Sequence, residues 1–198
     1  MKPLIYFLLC LITLTTCDTS SPNPEFKEYL PLQIGNSWKL VPTGNNPQNY
    51  YSFKRVTDKV ILDGHSYYAV VSGYANPEEA ISDTLYYRID PKGFVYTRRK
   101  TSTFEENVFR LRGVDGDAWS YQYDNYTTNI SMSVIKLSIA DEELKNCKAY
   151  YRDVDLMADE ESTTTLAKGI GFVKIYSDAW SNGSILKSAV IDGREIDF

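Results

Sequence analysis

The chain alternates over most of its length. Leu85, Tyr87 and Ile89 share one parity, and Tyr86, Arg88 and Asp90 share the other, which is the period of a half-buried strand. Turn signals punctuate these runs about every ten residues, the rhythm of an all-β protein. Asp63-Gly64 predicts a two-residue hairpin turn, because Asp and Gly tolerate the positive φ it needs. Pro91-Lys92-Gly93, Asn182-Gly183 and Asp192-Gly193 predict further turns. Helical periodicity is poor. Asn76 to Ile81 and Ser138 to Leu144 offer a helical turn each at most.

Two long runs change the parity of their apolar residues midway. Tyr51 and Phe53 lie on one parity, and Val56, Val60 and Leu62 on the other. Ile130, Met132 and Val134 likewise precede Ile135, Leu137 and Ile139 on the opposite parity. Such a switch requires a bulge or sharp bend, the device by which sheets curve into barrels. The two runs belong to a wider echo. Gly35-Asn36-Ser37-Trp38 is matched 81 residues later by Gly116-Asp117-Ala118-Trp119, and Gly93-Phe94-Val95 by Gly171-Phe172-Val173. The expectation is an all-β, antiparallel fold of about ten strands. It has two similar halves, at about 35–113 and 116–195, in a barrel-like or strongly curved sheet, with a two-sheet sandwich as the alternative. No linker separates the halves, so residues 28–198 read as one domain.

The N-terminus reads as an address. Met1-Lys2 is a short basic start, and residues 4–12 are apolar, too few to span a bilayer. Residues 1–16 are therefore expected to be a signal peptide. Leu14-Thr15-Thr16-Cys17 resembles a bacterial lipobox of the relaxed type found in Bacteroidetes lipoproteins, although Thr16 stands where Gly, Ala or Ser is usual. The resemblance implies lipidation of Cys17, including N-acylation such as palmitate. More than one acyl chain gives stable anchoring. Residues 17–27 then read as lipidated Cys and flexible tether. About ten such residues reach roughly 15–20 Å. The implied location is the cell envelope, held at a membrane and most simply the outer one.

Composition narrows the partners. The net charge of −5 becomes −6 once Lys2 leaves, with no basic run, which argues against nucleic acid. Cys147 is left without a partner after Cys10 leaves and Cys17 is acylated, so the fold must stand on its core. Cys147 reads as a buried, inert thiol. His65, the single histidine, flanks a hairpin turn and has no nucleophile elbow to serve. No metal site and no cofactor are expected. Asp153, Asp155, Asp159, Glu160 and Glu161 read as a solvated acidic turn lacking the Gly and Glu of a calcium loop.

Aromatics are the suggestive group. Tyr-Tyr pairs stand at 50–51, 67–68, 86–87 and 150–151. In a strand each pair sends one ring to either face. Trp38, Trp119, Tyr67, Tyr86 and Tyr150 are the candidate ligand contacts, with the two tryptophans equally readable as core pillars.

The opening Tyr29-Leu30-Pro31-Leu32 with Gly35-Asn36-Ser37-Trp38, and the late Gly169-Ile170-Gly171-Phe172-Val173-Lys174, resemble uncharacterised Bacteroidetes-type secreted proteins and lipoproteins. Their Pro-Leu-x-x-Gly-x-x-Trp start and late Gly-rich strand are structural motifs. The resemblance implies an antiparallel β-fold and an envelope address, and no catalytic residue. The functional expectation is a non-enzymatic lipoprotein binding an apolar or glycan ligand. The alternatives are a protein-interaction or accessory subunit and, less favoured, a hydrolase, which would need two converging carboxylates.

Overall fold

The computed structural model describes residues 24–44, 50–76 and 78–198. The expected signal peptide, Cys17 and the first part of the expected tether lie outside the described residues. A short helix, α1 (Pro24–Lys27), precedes thirteen strands: β1 (Ser37–Pro42), β2 (Tyr51–Leu62), β3 (His65–Ala75), β4 (Glu79–Ile89), β5 (Phe94–Arg98), β6 (Glu106–Arg110), β7 (Ala118–Tyr123), β8 (Tyr126–Ile139), β9 (Glu142–Val154), β10 (Ser162–Ala167), β11 (Gly171–Ser177), β12 (Asn182–Ile191) and β13 (Arg194–Asp197).

All thirteen belong to one antiparallel sheet in the order β6-β5-β4-β3-β2-β1-β12-β11-β10-β9-β8-β7, with β13 on β12. The sheet curls into a nearly closed barrel, so the sandwich alternative is set aside. The described residues form thirteen strands where about ten were expected. Glu79 to Ile81 is strand and Ser138 to Leu144 is strand and turn, not helix, and Asn182-Gly183 opens β12 after a turn at Ser181. The Asp63-Gly64 and Asp192-Gly193 turns have the positive φ pairs expected of them.

The two six-strand runs, β1–β6 and β7–β12, share local bonds. Gly35 N–H donates to Val56 O, and Val56 N–H to Asn36 O. Gly116 N–H donates to Met132 O, and Met132 N–H to Asp117 O. Both long hairpins also break register where the parity switch placed a bend, between Val56 and Asp58 and between Ile135 and Leu137. The grouping of Val56 with Val60 and Leu62 is corrected. Val56 enters the main core, whereas Val60 and Leu62 pack with Tyr67, Ala69 and Tyr86 in a second, smaller cluster.

A curled sheet leaves two ends to be closed. At one end the segment 26–32 acts as the plug. Phe26, Leu30 and Leu32 are core residues, so the folded domain reaches back to at least Phe26 and the tether ends sooner than residue 27. The plug is tied to the β10–β11 turn, to β9 and to the residue before β1: Gly169 N–H to Glu28 O (2.5 Å), Tyr29 Oη to Asn146 O (3.0 Å) and Asn36 Nδ2 to Pro31 O (2.9 Å). Asn36 Oδ1 then accepts from Asp192 N–H, joining plug, β1 and the β12–β13 turn.

Two glycines make room for aromatic rings. The Phe26 ring lies against Gly93 and the Trp38 indole against Gly171; a Cβ at either would stand 2.8 Å from that ring. Both glycines also have positive φ, at 85° and 97°. Gly171→Ala is therefore expected to destabilise by more than about 1 kcal/mol through strain and collision. Phe26→Ala, which unseats the plug, is expected to cost about 3–5 kcal/mol. Urea denaturation monitored by Trp fluorescence checks both.

Candidate functional site

The aromatic interior forms a floor. Phe172 sits against Trp38 (5.2 Å between centroids), Tyr87 and Phe109 (6.4 Å each), and Phe109 packs on Tyr150 at 4.8 Å. Trp38 Nε1 donates to Ile170 O at 2.6 Å, which fixes the indole as a pillar.

Strands β6 and β7 are the two ends of the twelve-strand path, and side chains bridge them in place of a ladder. Trp119 Nε1 donates to Asn107 O at 2.8 Å, and Tyr121 Oη to Glu106 Oε2 at 2.9 Å. Tyr150 Oη donates to Arg110 O at 3.1 Å, and the Arg110 guanidinium lies 4.5 Å from the Trp119 ring centroid. Burial raises the pKa of Tyr150 and Tyr87 well above the ordinary phenol value, so both stay neutral.

Beside this seam lies a cleft of about 160 Å³. Its floor is Tyr87, Phe109 and Tyr150. Its walls carry Leu85, Thr97, Glu106 and Val108 on one side, and Ile130, Arg152, Ser162 and Thr164 on the other. The polar lining sits on the inward parity continued toward the strand ends: Leu166, Thr164, Ser162 on β10, and Tyr150, Arg152 on β9. That continuation was the sequence signal for these residues. The cleft lies toward the ends of β6, β9 and β10 farthest from the plug. Chemically it offers a carboxylate, a guanidinium and three hydroxyls above an aromatic surface.

The five aromatic candidates do not converge. Tyr150 lines the cleft. Trp119 borders the seam and a shallow depression with Tyr151 and Asp153. Trp38 is a core pillar. Tyr67 and Tyr86 are buried in the second cluster, not displayed as a platform. The Tyr pairs do divide between faces, with Tyr87 and Tyr150 in the main core and Tyr86 in the other cluster. Tyr67 donates to Glu105, which is also paired with Arg88. Burial works to raise the Glu105 carboxyl, but Arg88 and the Tyr67 hydroxyl outweigh it and hold its pKa below the usual carboxylate value. Cys147 is fully buried, and burial raises its thiol pKa. His65 is exposed beside its turn.

Lys54 was not anticipated. The residue is half-buried overall, but its ammonium points inward, 3.2 Å from Ser72 Oγ and 5.2 Å from the Phe172 ring centroid. Burial pushes its pKa down to about 8, against an opposing pull from Asp83.

No protein-family model and no curated protein sequence matches the chain. Two solved structures resemble it in shape. One is a predicted lipoprotein from Parabacteroides distasonis, with a TM-score of 0.44 and 11% identity, over 80% of this chain and 96% of that one. The other is a predicted exported protein with YmcC-like fold from Bacteroides fragilis, with a TM-score of 0.47 and 12% identity, over 85% and 99%. Neither name assigns a site.

Lys54 gives a signed pH prediction. Its folded pKa lies below its unfolded value, so the unfolded chain holds the extra proton between about pH 8 and 10.5. Stability from this group is expected to rise with pH across that window. Lys54→Met is expected to be the more stable form below pH 8 and to lose that slope, as denaturant titrations from pH 7 to 10.5 would show.

Proposed function

We propose that the protein is a lipid-anchored binding protein of the bacterial cell envelope, held by Cys17 at the outer membrane, whose cleft receives the terminal ring of a glycan. The two six-strand runs are, on this reading, copies of one unit. The carrying observation is the aromatic floor of Tyr87, Phe109 and Tyr150 beneath Glu106 and Arg152, in about 160 Å³. An apolar cavity of about 150 Å³ takes a benzene-sized guest, and drug-sized ligands use roughly 300–1,000 Å³. The size therefore fits one ring. The polar walls favour a hydroxylated ring over a hydrocarbon chain, because desolvating Glu106 and Arg152 against methylenes is costly. Glu106 is the only carboxylate among the lining residues, which favours binding over the paired-carboxylate hydrolysis of glycosides.

Saturation-transfer NMR and calorimetry with a panel of mono- and oligosaccharides, beside dodecanoate, would test the cleft. Saturable sugar binding, weakened at least tenfold by Glu106→Gln and by Arg152→Ala, is expected. Dodecanoate occupying the cleft with no sugar binding would overturn the glycan reading. For the anchor, Cys17→Ser is expected to move the protein from the membrane to the soluble envelope fraction and to abolish palmitate labelling.

A further inference from the structure

We propose that three turns at the end of the barrel opposite the plug form one docking surface for a Lys- and Arg-rich segment of a partner protein. They are the β7–β8 turn at 123–126, the β9–β10 connection at 155–161 and the β11–β12 turn at 178–181. Hydrogen bonds join them. Asp155 N–H donates to Thr127 O (2.9 Å) and Asn129 Nδ2 to Asp155 Oδ1 (2.8 Å). Asp178 N–H donates to Glu161 O (2.9 Å) and Thr163 Oγ1 to Asp178 Oδ2 (2.8 Å).

What carries the proposal is apolar. Tyr123, Tyr126, Leu156, Met157 and Trp180 are all exposed on these turns, Trp180 by 65% and Leu156 by 92%. Trp38 and Trp119 are buried, so Trp180 departs from the chain's own use of tryptophan. One exposed leucine says nothing, but five large apolar residues on three hydrogen-bonded turns make a patch that marks an interaction surface.

Charge selects the occupant. Segments 123–129, 153–163 and 176–181 contain Asp124, Asp153, Asp155, Asp159, Glu160, Glu161 and Asp178, and no Lys or Arg. Their seven carboxylates exceed the net charge of −5 for the whole chain, so the negative charge is concentrated here. Two cations flank these segments: Arg152 reaches Glu160 only at 4.0 Å, and the Lys174 ammonium lies 5.1 Å from the Tyr176 ring centroid. Such a surface repels an anionic lipid face, and two copies facing each other repel likewise. A cationic segment is drawn in by the carboxylates and can lay its Lys and Arg heads on the Tyr and Trp faces.

The test uses the mature chain, residues 17–198 carrying Cys17→Ser, at physiological ionic strength. A fluorescent dodecapeptide alternating Arg and Leu is followed by anisotropy, beside a Glu–Leu peptide and neutral phosphatidylcholine vesicles. Saturable binding of the Arg peptide alone is expected. Trp180→Ala and Tyr126→Ala are each expected to weaken it at least tenfold, and Val114→Ser near the plug to leave it unchanged. Glu161→Lys combined with Glu160→Lys is expected to shift preference toward the Glu peptide. Weakening by the charge reversal without any effect of Trp180→Ala would reduce the surface to unspecific attraction and overturn the proposal. So would equal binding to the vesicles, self-association in sedimentation, or no binding. Sugar titrations of Trp180→Ala and Tyr126→Ala separate this surface from the cleft, which neither residue lines.

Discussion

The fold depends on drying one face of a single thirteen-stranded sheet. Curling hides that face, but a curled sheet has two ends and, here, one seam without a ladder. Each opening exposes backbone or aromatic surface unless something fills it. Phe26, Leu30 and Leu32 fill one end. Trp119, Tyr121 and Tyr150 close the seam by donating across it to β6. Trp119 and Tyr150 satisfy backbone carbonyls of β6, at Asn107 and Arg110, and Tyr121 binds the Glu106 carboxylate. The second junction between the two six-strand runs, β1 with β12, has a true ladder from Ser37–Val190 to Pro42–Ser184. The barrel is thus zipped by backbone on one side and buttoned by side chains on the other. The opening left unfilled is the end away from the plug, and the cleft lies there.

Much of this was legible as pattern. The parity switch in two runs announced the bulges near Thr57 and Lys136, because an inserted residue lets an alternating pattern change parity while keeping its face. The Tyr pairs announced residues divided between two faces. The plug was not legible. Phe26 sits among Pro, Asn and Glu, where composition speaks for a tether, and its burial depends on a space vacated by Gly93, distant in sequence. The seam was hidden for the same reason. A strand's pattern tells which face is dry, not which edge lacks a neighbour.

The candidate site was less legible than the fold. Trp38, Tyr67 and Tyr86 attracted notice as aromatics, yet each is spent on structure, Tyr67 by the Glu105–Arg88 pair and Trp38 by Ile170. The residues that give the cleft its chemistry are Glu106, Arg152, Ser162 and Thr164, which look like ordinary polar positions on strands. They become a site only because their inward parity runs past the end of the packed core. Lys54 makes the same point, as an unremarked polar position whose inward parity places its ammonium against Phe172.

The cleft and the acidic turns meet in one stretch of chain. Arg152 and Ser162, both lining the cleft, bracket the β9–β10 connection that carries Asp155, Leu156, Met157 and Glu160. Arg152 faces Glu160 from the cleft side at 4.0 Å, long for a hydrogen-bonded pair and exposed enough to be weak. A cationic partner that engaged Glu160 would compete for that carboxylate and leave the guanidinium freer to face the cleft. A ligand that engaged Arg152 would in turn release Glu160 to the partner. The two surfaces then favour each other's occupancy through one shared ion pair. Such coupling is reciprocal by thermodynamic necessity and can be no larger than the difference that pair makes between the two states. For an exposed pair that difference is small, so the connection would tune the two events without switching them.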